Sequence, residues 1–392
     1  MAAGKEKRNL TASNAFRFVL ILGIANCFAD MTYEGARSVT GPFLASLGAS
    51  AAIVGFTAGF GELIGYGLRA ITGLISDRTR KYWLVTIIGY IVNMLAVPAL
   101  ALAGNWPLAA GLIIAERTGR AIRKPSTEAM LSFAGKQIGQ GWVFGLNEAL
   151  DQLGATLGTL IISLTLLRHG DYWNGFALLL VSALLAIAIV FIARYFFPTP
   201  RDLEVSHVIQ TSGLPKSYWL YMMAGGCIAG FTDFALIAYH FQKTASVPAP
   251  IVPIYYAVAM GVGAIGALAF GKLFDKIGVP ILVAAFALSA FFAPLVFLGK
   301  MWIALLGMIL WGIGMGAQES LLKSVVAGLV SVNKRGTAFG VFDTGFGVAW
   351  FAGSWLMGIL YGKSITAVII LSVASQLLSL PIFLLAKRME RR

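Results

Sequence analysis

Charged side chains inside long apolar segments are the residues of this sequence best placed to do chemistry. Asp30, Glu34 and Arg37 are spaced i, i+4 and i+7, so a helix places all three on one face. Two carboxylates one turn apart repel each other, and we expect one of them to carry a proton at neutral pH, with Arg37 moderating the effect. The cluster predicts a proton-binding site, a structural network between helices, or an outer headgroup contact of Glu34 and Arg37.

A second group of charges lies between residues 116 and 151. Glu116 and Arg120 are one helical turn apart and are predicted to pair. Arg117 adds positive charge beside them, and Glu148 and Asp151 on the next apolar segment are candidate acidic partners, because consecutive segments tend to be neighbours. The group predicts either an ionic relay beside a cavity or a buried structural network.

Two more cations, Arg123 and Lys124, follow in the same segment. They are close to its inner end, so we expect their long side chains to reach out to the membrane interface.

Two aspartates stand apart from other charges in their segments. Asp233 and Asp343 have no basic residue one turn away, in contrast to Glu319, which has Lys323 four residues on. We therefore expect neither to be neutralised within its own helix and both to face the central cavity as proton or cation sites; the alternative is a helix cap or a pairing with another helix.

The segments that carry these residues predict a membrane protein. Hydrophobic residues make up 58% of the 392 residues and charged residues only 12%, and the mean hydropathy is +0.81. Charge-free stretches such as 82–102 and 279–299 match the ~20 residues that a helix needs to cross a bilayer. Twelve spans are predicted: 16–40, 50–75, 82–103, 107–132, 140–167, 171–197, 216–242, 250–271, 279–299, 301–329, 336–361 and 364–387. The third, sixth, ninth and twelfth lack charge and are expected to face lipid.

The positions of the basic residues decide what the net charge of +13 means. Most lysines and arginines between the predicted spans lie on the side of the N-terminus, and the loops on the other side hold only Arg168, Lys243, Lys300 and Lys363. This bias predicts that both termini are cytoplasmic. The loops lack aromatic residues interleaved with basic ones, so we do not expect nucleic-acid binding.

One loop pattern occurs twice, half a chain length apart: Gly73-Leu74-Ile75-Ser76-Asp77-Arg78 and Gly271-Lys272-Leu273-Phe274-Asp275-Lys276. Each copy follows one apolar span and precedes another, which predicts a duplicated chain. Asp77 and Asp275 lie at the cytoplasmic ends of helices. Each can cap the N-terminus of a neighbouring helix and pair with a basic side chain, which would form a latch. The alternative is a solvated charge run that only sets topology.

These loops resemble the hallmark of the major facilitator superfamily of secondary transporters. Residues 144–148 echo 339–343, and Arg117-Thr118-Gly119-Arg120 is similar to the family's Arg-x-x-Gln motif, with Arg120 in place of Gln. The resemblance implies an all-α membrane fold of twelve helices in two pseudo-symmetric six-helix bundles, alternating access, and a latch formed by Gly73, Asp77, Arg78, Gly271, Asp275 and Lys276. The expected parts are a cytoplasmic N-terminal tail 1–15, bundles 16–197 and 216–387 joined by a cytoplasmic linker 198–215, and a basic tail 388–392.

Function is predicted from this resemblance and from the charges. The sequence has no phosphate-binding loop, no His/Cys cluster spaced for a metal and no Ser/His/Asp arrangement, so we expect no enzyme activity, cofactor or metal. We expect a monomeric protein of the plasma (inner) membrane that couples protons to the transport of a small organic solute. Export of a drug-like or lipophilic compound by proton antiport is favoured. Proton-linked transport of an organic anion is one alternative, and a non-transporting receptor or scaffold is another.

Overall fold

A computed structural model describes residues 2–49, 51–169, 171–203, 213–229, 234–244, 246–247 and 252–390. These residues form sixteen α-helices and no strand. The helices are α1 Ala2–Arg37, α2 Thr40–Ser46, α3 Ala51–Gly67, α4 Arg69–Thr79, α5 Tyr82–Ala99, α6 Trp106–Ile138, α7 Gln140–His169, α8 Tyr172–Phe196, α9 Lys216–Ala229, α10 Phe234–Thr244, α11 Val252–Ile277, α12 Val279–Ser289, α13 Phe292–Leu298, α14 Met301–Leu329, α15 Arg335–Tyr361 and α16 Ile365–Glu390.

Eight membrane-spanning candidates are found among the described residues by length and hydropathy. They correspond to the first, third, fifth, sixth, eighth, ninth, tenth and twelfth predicted spans. The second predicted span is divided at Leu68 into α3 and α4, and the seventh into α9 and α10, with 230–233 outside the described residues. The fourth predicted span lies within α6, which carries the run of charges between Glu116 and Lys124. The chain is an all-α membrane protein with the predicted twelve-helix fold.

Short polar residues and left-handed turns set the helix ends. The side chains of Asn105 and Asp171 accept backbone hydrogen bonds at 3.0 and 2.8 Å and so begin α6 and α8. The two repeated loops end their helices in the left-handed region, at Arg80 with φ 55° and at Gly278 with φ 76°. Glycine adopts this conformation at little cost, whereas arginine does so at about 1 kcal/mol.

The described chain divides into two compact units. Unit 1 consists of 1–139, 150–208 and 331–344, and unit 2 of 140–149, 209–330 and 345–392. Each unit therefore includes one short segment from the other half of the sequence, which is where the division differs from the expected bundles 16–197 and 216–387. The start of α15 packs within unit 1, and the start of α7 within unit 2.

Each unit has its own apolar core. In unit 1, Phe43, Val97 and Phe176 are buried together. In unit 2, Phe241 and Phe297 are buried in a second cluster. Polar side chains that are buried elsewhere in each unit need hydrogen bonds, because an unpaired buried polar group is costly.

Candidate functional site

The first repeated loop carries a carboxylate that caps another helix. Asp77 on α4 accepts hydrogen bonds from the backbone N–H groups of Gly336 and Thr337, at 3.0 and 2.6 Å. These N–H groups lie at the start of α15, where they have no partner within the helix. Tyr82 donates a third bond at 2.8 Å. Among the described residues, a phenol thus takes the place of the expected basic partner, and Arg78 is exposed.

The Asp77 carboxyl lies beyond the apolar run 50–75. Burial raises its pKa above the ordinary value, and the hydrogen bonds from Thr337 and Gly336 act in the opposite direction. Protonation, which would weaken the cap, therefore occurs at a higher pH than for an exposed aspartate.

The second repeated loop makes the matching contact inside unit 2. Asp275 on α11 accepts hydrogen bonds from the backbone N–H groups of Gly141 and Trp142, both at 2.8 Å. These groups lie at the start of α7. The Nζ of Lys272 lies 4.4 Å from the centre of the Trp142 ring, and Lys276 is exposed. Each repeat thus joins its aspartate to the N-terminus of one helix, and we use the name latch for each of these two contacts.

Glycines allow the helices of each latch to approach backbone to backbone. A Cβ atom on Gly73 would lie 2.0 Å from the carbonyl oxygen of Gly336, and one on Gly271 would lie 2.3 Å from that of Gly141. Neither distance leaves room for a side chain. The glycines of the repeated loops are therefore required by the close approach that brings the aspartates to their helix N-termini.

A buried ion pair extends the first latch. The Nη1 of Arg69 lies 3.0 Å from the Oδ2 of Asp343, and both side chains are buried. Arg69 also donates from Nε to the carbonyl of Gly65 at 2.9 Å, and its guanidinium lies 4.2 Å from the centre of the Tyr66 ring. Asp343 thus pairs with a residue of another helix, which was the alternative to a cavity-facing proton or cation site.

A second buried pair joins α1 to α6. The Nη2 of Arg123 lies 3.4 Å from the Oδ1 of Asp30. Arg123 also donates to the side-chain oxygens of Asn93 and Asn26 at 3.0 and 3.2 Å, and it lies 4.6 Å from the centre of the Tyr90 ring. Only 1% of Arg123 is exposed. The prediction that it reaches the membrane interface is therefore wrong, because the buried acceptors hold it inside.

The expected cluster of Asp30, Glu34 and Arg37 is divided between two environments. Glu34 pairs with Arg37 at 3.4 Å, and Arg37 also lies 3.3 Å from the Oε1 of Glu62. Arg37 and Glu62 are partly exposed, whereas Asp30 is buried against Arg123. Asp30 and Glu34 thus form ion pairs with different cations.

Arg117, rather than Arg120, is the ion-pair partner of Glu116 among the described residues. The Nε of Arg117 lies 3.4 Å from Glu116, and its Nη1 lies 3.4 Å from Glu62. Glu116 also accepts a hydrogen bond from the side chain of Asn93 at 2.8 Å. The predicted pair of Glu116 with Arg120 is wrong, because the acid is held by its sequence neighbour and by α5.

Arg120 lies over an aromatic ring, and no described residue accepts a hydrogen bond from it. Its guanidinium is 4.0 Å from the centre of the Tyr33 ring, and Arg117 lies over the same ring at 4.7 Å. Arg120 donates no hydrogen bond to any residue that the structure describes, and its Nε is buried. A guanidinium has five N–H donors and prefers planar anions. This part of unit 1 therefore holds a cation able to bind a carboxylate.

The remaining predicted site residues are Glu148, Asp151 and Asp233. Lys124 lies 3.6 Å from the Oδ2 of Asp151, and both are buried in unit 1; the expectation that Lys124 reaches the interface is therefore wrong. Glu148, on the same helix as Asp151, is buried in unit 2. Asp233 lies outside the described residues.

Unit 2 contains a small cavity of about 30 Å³ whose described lining has no ionisable residue. The lining is aromatic, apolar and amide-bearing: Ile228, Ala229, Ser289, Phe292, Trp311, Gly314, Met315, Gln318, Trp350 and Gln376. Ser289 and Gln376 belong to the ninth and twelfth predicted spans, which we expected to face lipid. Their buried polar groups show that absence of charge did not exclude an inward-facing side chain.

Sequence reasoning did not identify the buried partners of Arg69 and Arg123, and it missed the uncharged cavity. The pairing of Arg69 with Asp343 could have been found from the spacing of Arg69 and Asp77. The two are two turns apart on α4, and Gly336 and Asp343 are two turns apart on α15. Once Asp77 is assigned to the start of α15, antiparallel helices bring Arg69 to Asp343. No comparable signal identifies the two glutamines.

Comparison with known proteins agrees with this fold. The family model for the Major Facilitator Superfamily matches residues 22–354. The chain belongs to the major facilitator superfamily. An uncharacterized protein of Mycobacterium tuberculosis is 36% identical over 389 residues, which cover 97% of this chain and 95% of that protein. An uncharacterized MFS-type transporter of Methanocaldococcus jannaschii is 26% identical over 372 residues, 91% of each chain.

Solved structures of MFS transporters share the fold at low identity. The human organic anion transporter MFSD10 has a TM-score of 0.74 and 15% identity, covering 95% of this chain and 98% of that one. A bacterial homologue of the iron transporter ferroportin has a TM-score of 0.75 and 13% identity, covering 95% and 99%. The E. coli fucose:proton symporter has a TM-score of 0.71 and 14% identity, also covering 95% and 99%. Family and fold are those of integral membrane proteins that act as secondary transporters.

Proposed function

We propose that this MFS protein is a proton-coupled secondary transporter of a small organic anion. The observation that carries the proposal is the state of Arg120, which lies over Tyr33 and donates no hydrogen bond to any described residue. Of its five N–H donors, the Nε–H is buried and has no partner among the described residues, and leaving such donors unpaired is costly in a membrane protein unless a ligand accepts them. A carboxylate accepts two of them side by side, a geometry that an ammonium cannot use.

Four other buried cations of unit 1 support an anion over a cation. Each has a carboxylate within 3.6 Å: Arg69 with Asp343, Arg117 with Glu116, Arg123 with Asp30, and Lys124 with Asp151. A cationic substrate would have to compete with these arginines and lysine for their acids, whereas Arg120 has no carboxylate at ion-pair distance among the described residues and is attracted by Asp30, Glu34 and Glu116 only from farther away. We therefore prefer the organic-anion alternative to the lipophilic cation that the sequence favoured.

We propose Asp30 as the carboxylate that binds and releases the coupling proton. It contacts Arg123 through one atom pair at 3.4 Å. Arg123 keeps two side-chain amide acceptors and the Tyr90 ring when Asp30 is neutral. Protonation of Asp30 therefore leaves Arg123 satisfied, so its energetic cost is small compared with breaking an isolated buried pair. Glu34, Glu148 and Asp233 remain further candidates for proton coupling.

Alternating access supplies the transport step. We propose that the bundles 16–197 and 216–387 move about the substrate, and that the Asp77 and Asp275 latches bias which side is closed. We also propose that the protein lies in the plasma (inner) membrane as a monomer with both termini in the cytoplasm, in accord with the bias of its basic loops.

Proton and solute flux in proteoliposomes test the proposal. Purified protein would first be screened for thermal stabilisation by carboxylates, sulfonates and tetraphenylphosphonium, because a ligand stabilises the state that binds it. An anion that stabilises the protein would then be added outside vesicles that contain a pH-sensitive dye. We expect protons to move with the anion into the vesicles. Proton movement in the opposite direction would show antiport.

Three variants separate the proposed roles. Arg120→Gln should lose anion binding and flux, and Asp30→Asn should keep anion exchange but lose proton movement. Arg194→Gln is the matched control, because Arg194 is exposed on α8. Unchanged anion flux in Arg120→Gln, or stabilisation by tetraphenylphosphonium alone, would refute the anion assignment and restore cation export. A protein that binds but never moves solute would support the receptor or scaffold.

A further inference from the structure

Five charged residues of unit 1 form one chain of ion pairs with alternating sign. The guanidinium of Arg37 on α1 lies 3.4 Å from the Oε1 of Glu34 and 3.3 Å from the Oε1 of Glu62 on α3. The guanidinium of Arg117 on α6 lies 3.4 Å from the same Glu62 oxygen and 3.4 Å from the Oε2 of Glu116. We call these five residues the charge chain. It has three carboxylates and two guanidinium groups, with a carboxylate at each end.

Arg120 supplies the third positive charge of this region. It has no carboxylate at ion-pair distance among the described residues, but it attracts Glu34 and Glu116 from farther away. The charge chain and Arg120 together carry no net charge. Every charged side chain between residues 12 and 168 is described, so no charge in this part of the sequence is left out of the balance.

An anion bound to Arg120 would change this balance. It cancels the charge of Arg120, and the three carboxylates of the charge chain then share only two arginines. Excess negative charge at a buried site favours protonation of one carboxylate, because neighbouring like charges repel each other. Glu116 is the buried end of the chain, with 6% of the residue exposed, whereas Glu34 and Glu62 are partly exposed. Glu116 therefore gains most from a proton.

The surroundings of Glu116 accommodate its neutral form. Asn93 donates to the Oε1 of Glu116 at 2.8 Å, and a protonated carboxyl still accepts this hydrogen bond. Arg117 keeps Glu62 as its counter-charge and donates to the hydroxyl of Tyr33. Protonation of Glu116 therefore leaves no buried cation alone, which avoids the cost of breaking an isolated buried pair.

A small cavity gives Glu116 a route to solvent. Its volume of about 10 Å³ is enough for about one water molecule. Glu116, Arg117 and the exposed Arg37 all line it. The Nε of Arg117 is buried and makes no hydrogen bond with a described residue. A water molecule in this cavity can accept a proton from solvent on one side and donate a proton to the Glu116 carboxylate on the other, so that it remains water.

We propose that Glu116 takes up one proton when an anion binds to Arg120, and that it is the first carboxylate on the proton's route to Asp30. Hydrogen bonds through Asn93 and Arg123 join Glu116 to Asp30. Transfer of the same proton to Asp30 restores the Glu116 carboxylate and neutralises Asp30, so one proton moves in all. The inference rests on the proposed function, because it uses the roles proposed there for Arg120 and Asp30.

Proton uptake on anion binding tests the proposal without transport. Benzoate is added to purified protein in weakly buffered detergent that contains a pH-sensitive dye. We expect uptake of about one proton per benzoate bound, and an affinity that falls about tenfold per pH unit where Glu116 loses its proton. Glu116→Gln should bind benzoate without proton uptake and with an affinity independent of pH. Asp30→Asn should keep the uptake. The matched control is Glu319→Gln in unit 2, which should also keep it.

Glu62→Gln tests the charge balance itself. This variant leaves two carboxylates for the two arginines of the charge chain, so benzoate on Arg120 creates no excess negative charge. We expect proton uptake to be lost although Glu116 is still present. Unchanged proton uptake in Glu116→Gln or in Glu62→Gln would overturn the inference.

Arg120→Gln produces the excess negative charge without any anion. Infrared titration detects the C=O stretch of a protonated carboxyl. At neutral pH we expect Arg120→Gln to show one such band that the wild type lacks, and the double variant with Glu116→Gln to lack it again. Absence of the band in Arg120→Gln, or its persistence in the double variant, would overturn the inference.

The two experiments separate this inference from the proposed function. If neither benzoate nor any screened anion binds, but the infrared band appears and disappears as expected, only the proposed function fails. If benzoate binds through Arg120 without proton uptake, only the inference fails.

Discussion

Replacing Asp77 with asparagine should loosen the start of α15. The carboxylate accepts bonds from two backbone N–H groups and from Tyr82, at distances between 2.6 and 3.0 Å. Asparagine keeps one acceptor oxygen and presents an NH2 group to the other donors. Loss of a helix cap costs about 0.5–2 kcal/mol, and loss of negative charge at a helix N-terminus costs about 0.3–1 kcal/mol. We therefore expect Asp77→Asn to destabilise the start of α15 by about 2 kcal/mol in total. This increases the equilibrium constant for opening of the helix start about 30-fold.

Amide hydrogen exchange measures this opening directly. The N–H groups of Gly336 and Thr337 are themselves the donors, so their exchange follows the opening equilibrium of the first latch. We expect Asp77→Asn to speed exchange about 30-fold in peptides that cover 335–338. Exchange in 140–143, at the other latch, should stay unchanged.

Asp275→Asn is the matched comparison. Asp275 also accepts two backbone bonds, but it is exposed and no phenol of a described residue adds a third. Water replaces part of the lost hydrogen bonding, so we expect Asp275→Asn to destabilise the start of α7 by only about 1 kcal/mol. Amide exchange in 140–143 should then become about fivefold faster. An effect below threefold at 335–338 in Asp77→Asn, or equal changes at both latches, would refute the reasoning that the carboxylates hold these helix starts.

Three further predictions concern the first latch. Gly73→Ala puts a Cβ atom 2.0 Å from a backbone carbonyl and should destabilise the protein by about 1–3 kcal/mol in detergent-induced unfolding. Asp343→Asn should lower the free energy of unfolding by about 3 kcal/mol, because it leaves the buried charge of Arg69 without its partner. The double variant with Arg69→Gln should lose less than the sum of the two single variants, because it removes that charge as well. Arg80→Gly should stabilise by about 1 kcal/mol, since the left-handed turn no longer strains a side chain.

Controls for these predictions come from the same elements. Gly67→Ala should be almost neutral, because no atom lies within 4 Å of the added Cβ. Gly278→Ala should destabilise, the opposite of Arg80→Gly, since it puts a side chain at the matching left-handed position. Equal costs for Gly73→Ala and Gly67→Ala would contradict the close-approach argument. Strictly additive changes at Arg69 and Asp343 would show that their contact contributes no coupling energy.

The amino-acid sequence by itself determined the class of fold and the positions of the latches. Apolar segments about 20 residues long can be stable only as helices in a bilayer, because every backbone group must be satisfied within its own segment. The repeat of Gly73 and Asp77 as Gly271 and Asp275 identified the two loops, since both the close approach and the cap need a fixed residue at a fixed spacing.

Only the tertiary structure decided the partners of the buried charges. The spacing within a helix shows which residues share a face, but it does not set the rotation of that helix against its neighbours. Glu116 therefore pairs with Arg117 and Asn93 instead of Arg120, and Asp30 pairs with Arg123. No pattern in the sequence indicated which uncharged polar residues line a cavity. The cavity lined by Gln318 and Gln376 forms where six helices converge, and convergence depends on crossing angles that no single helix encodes.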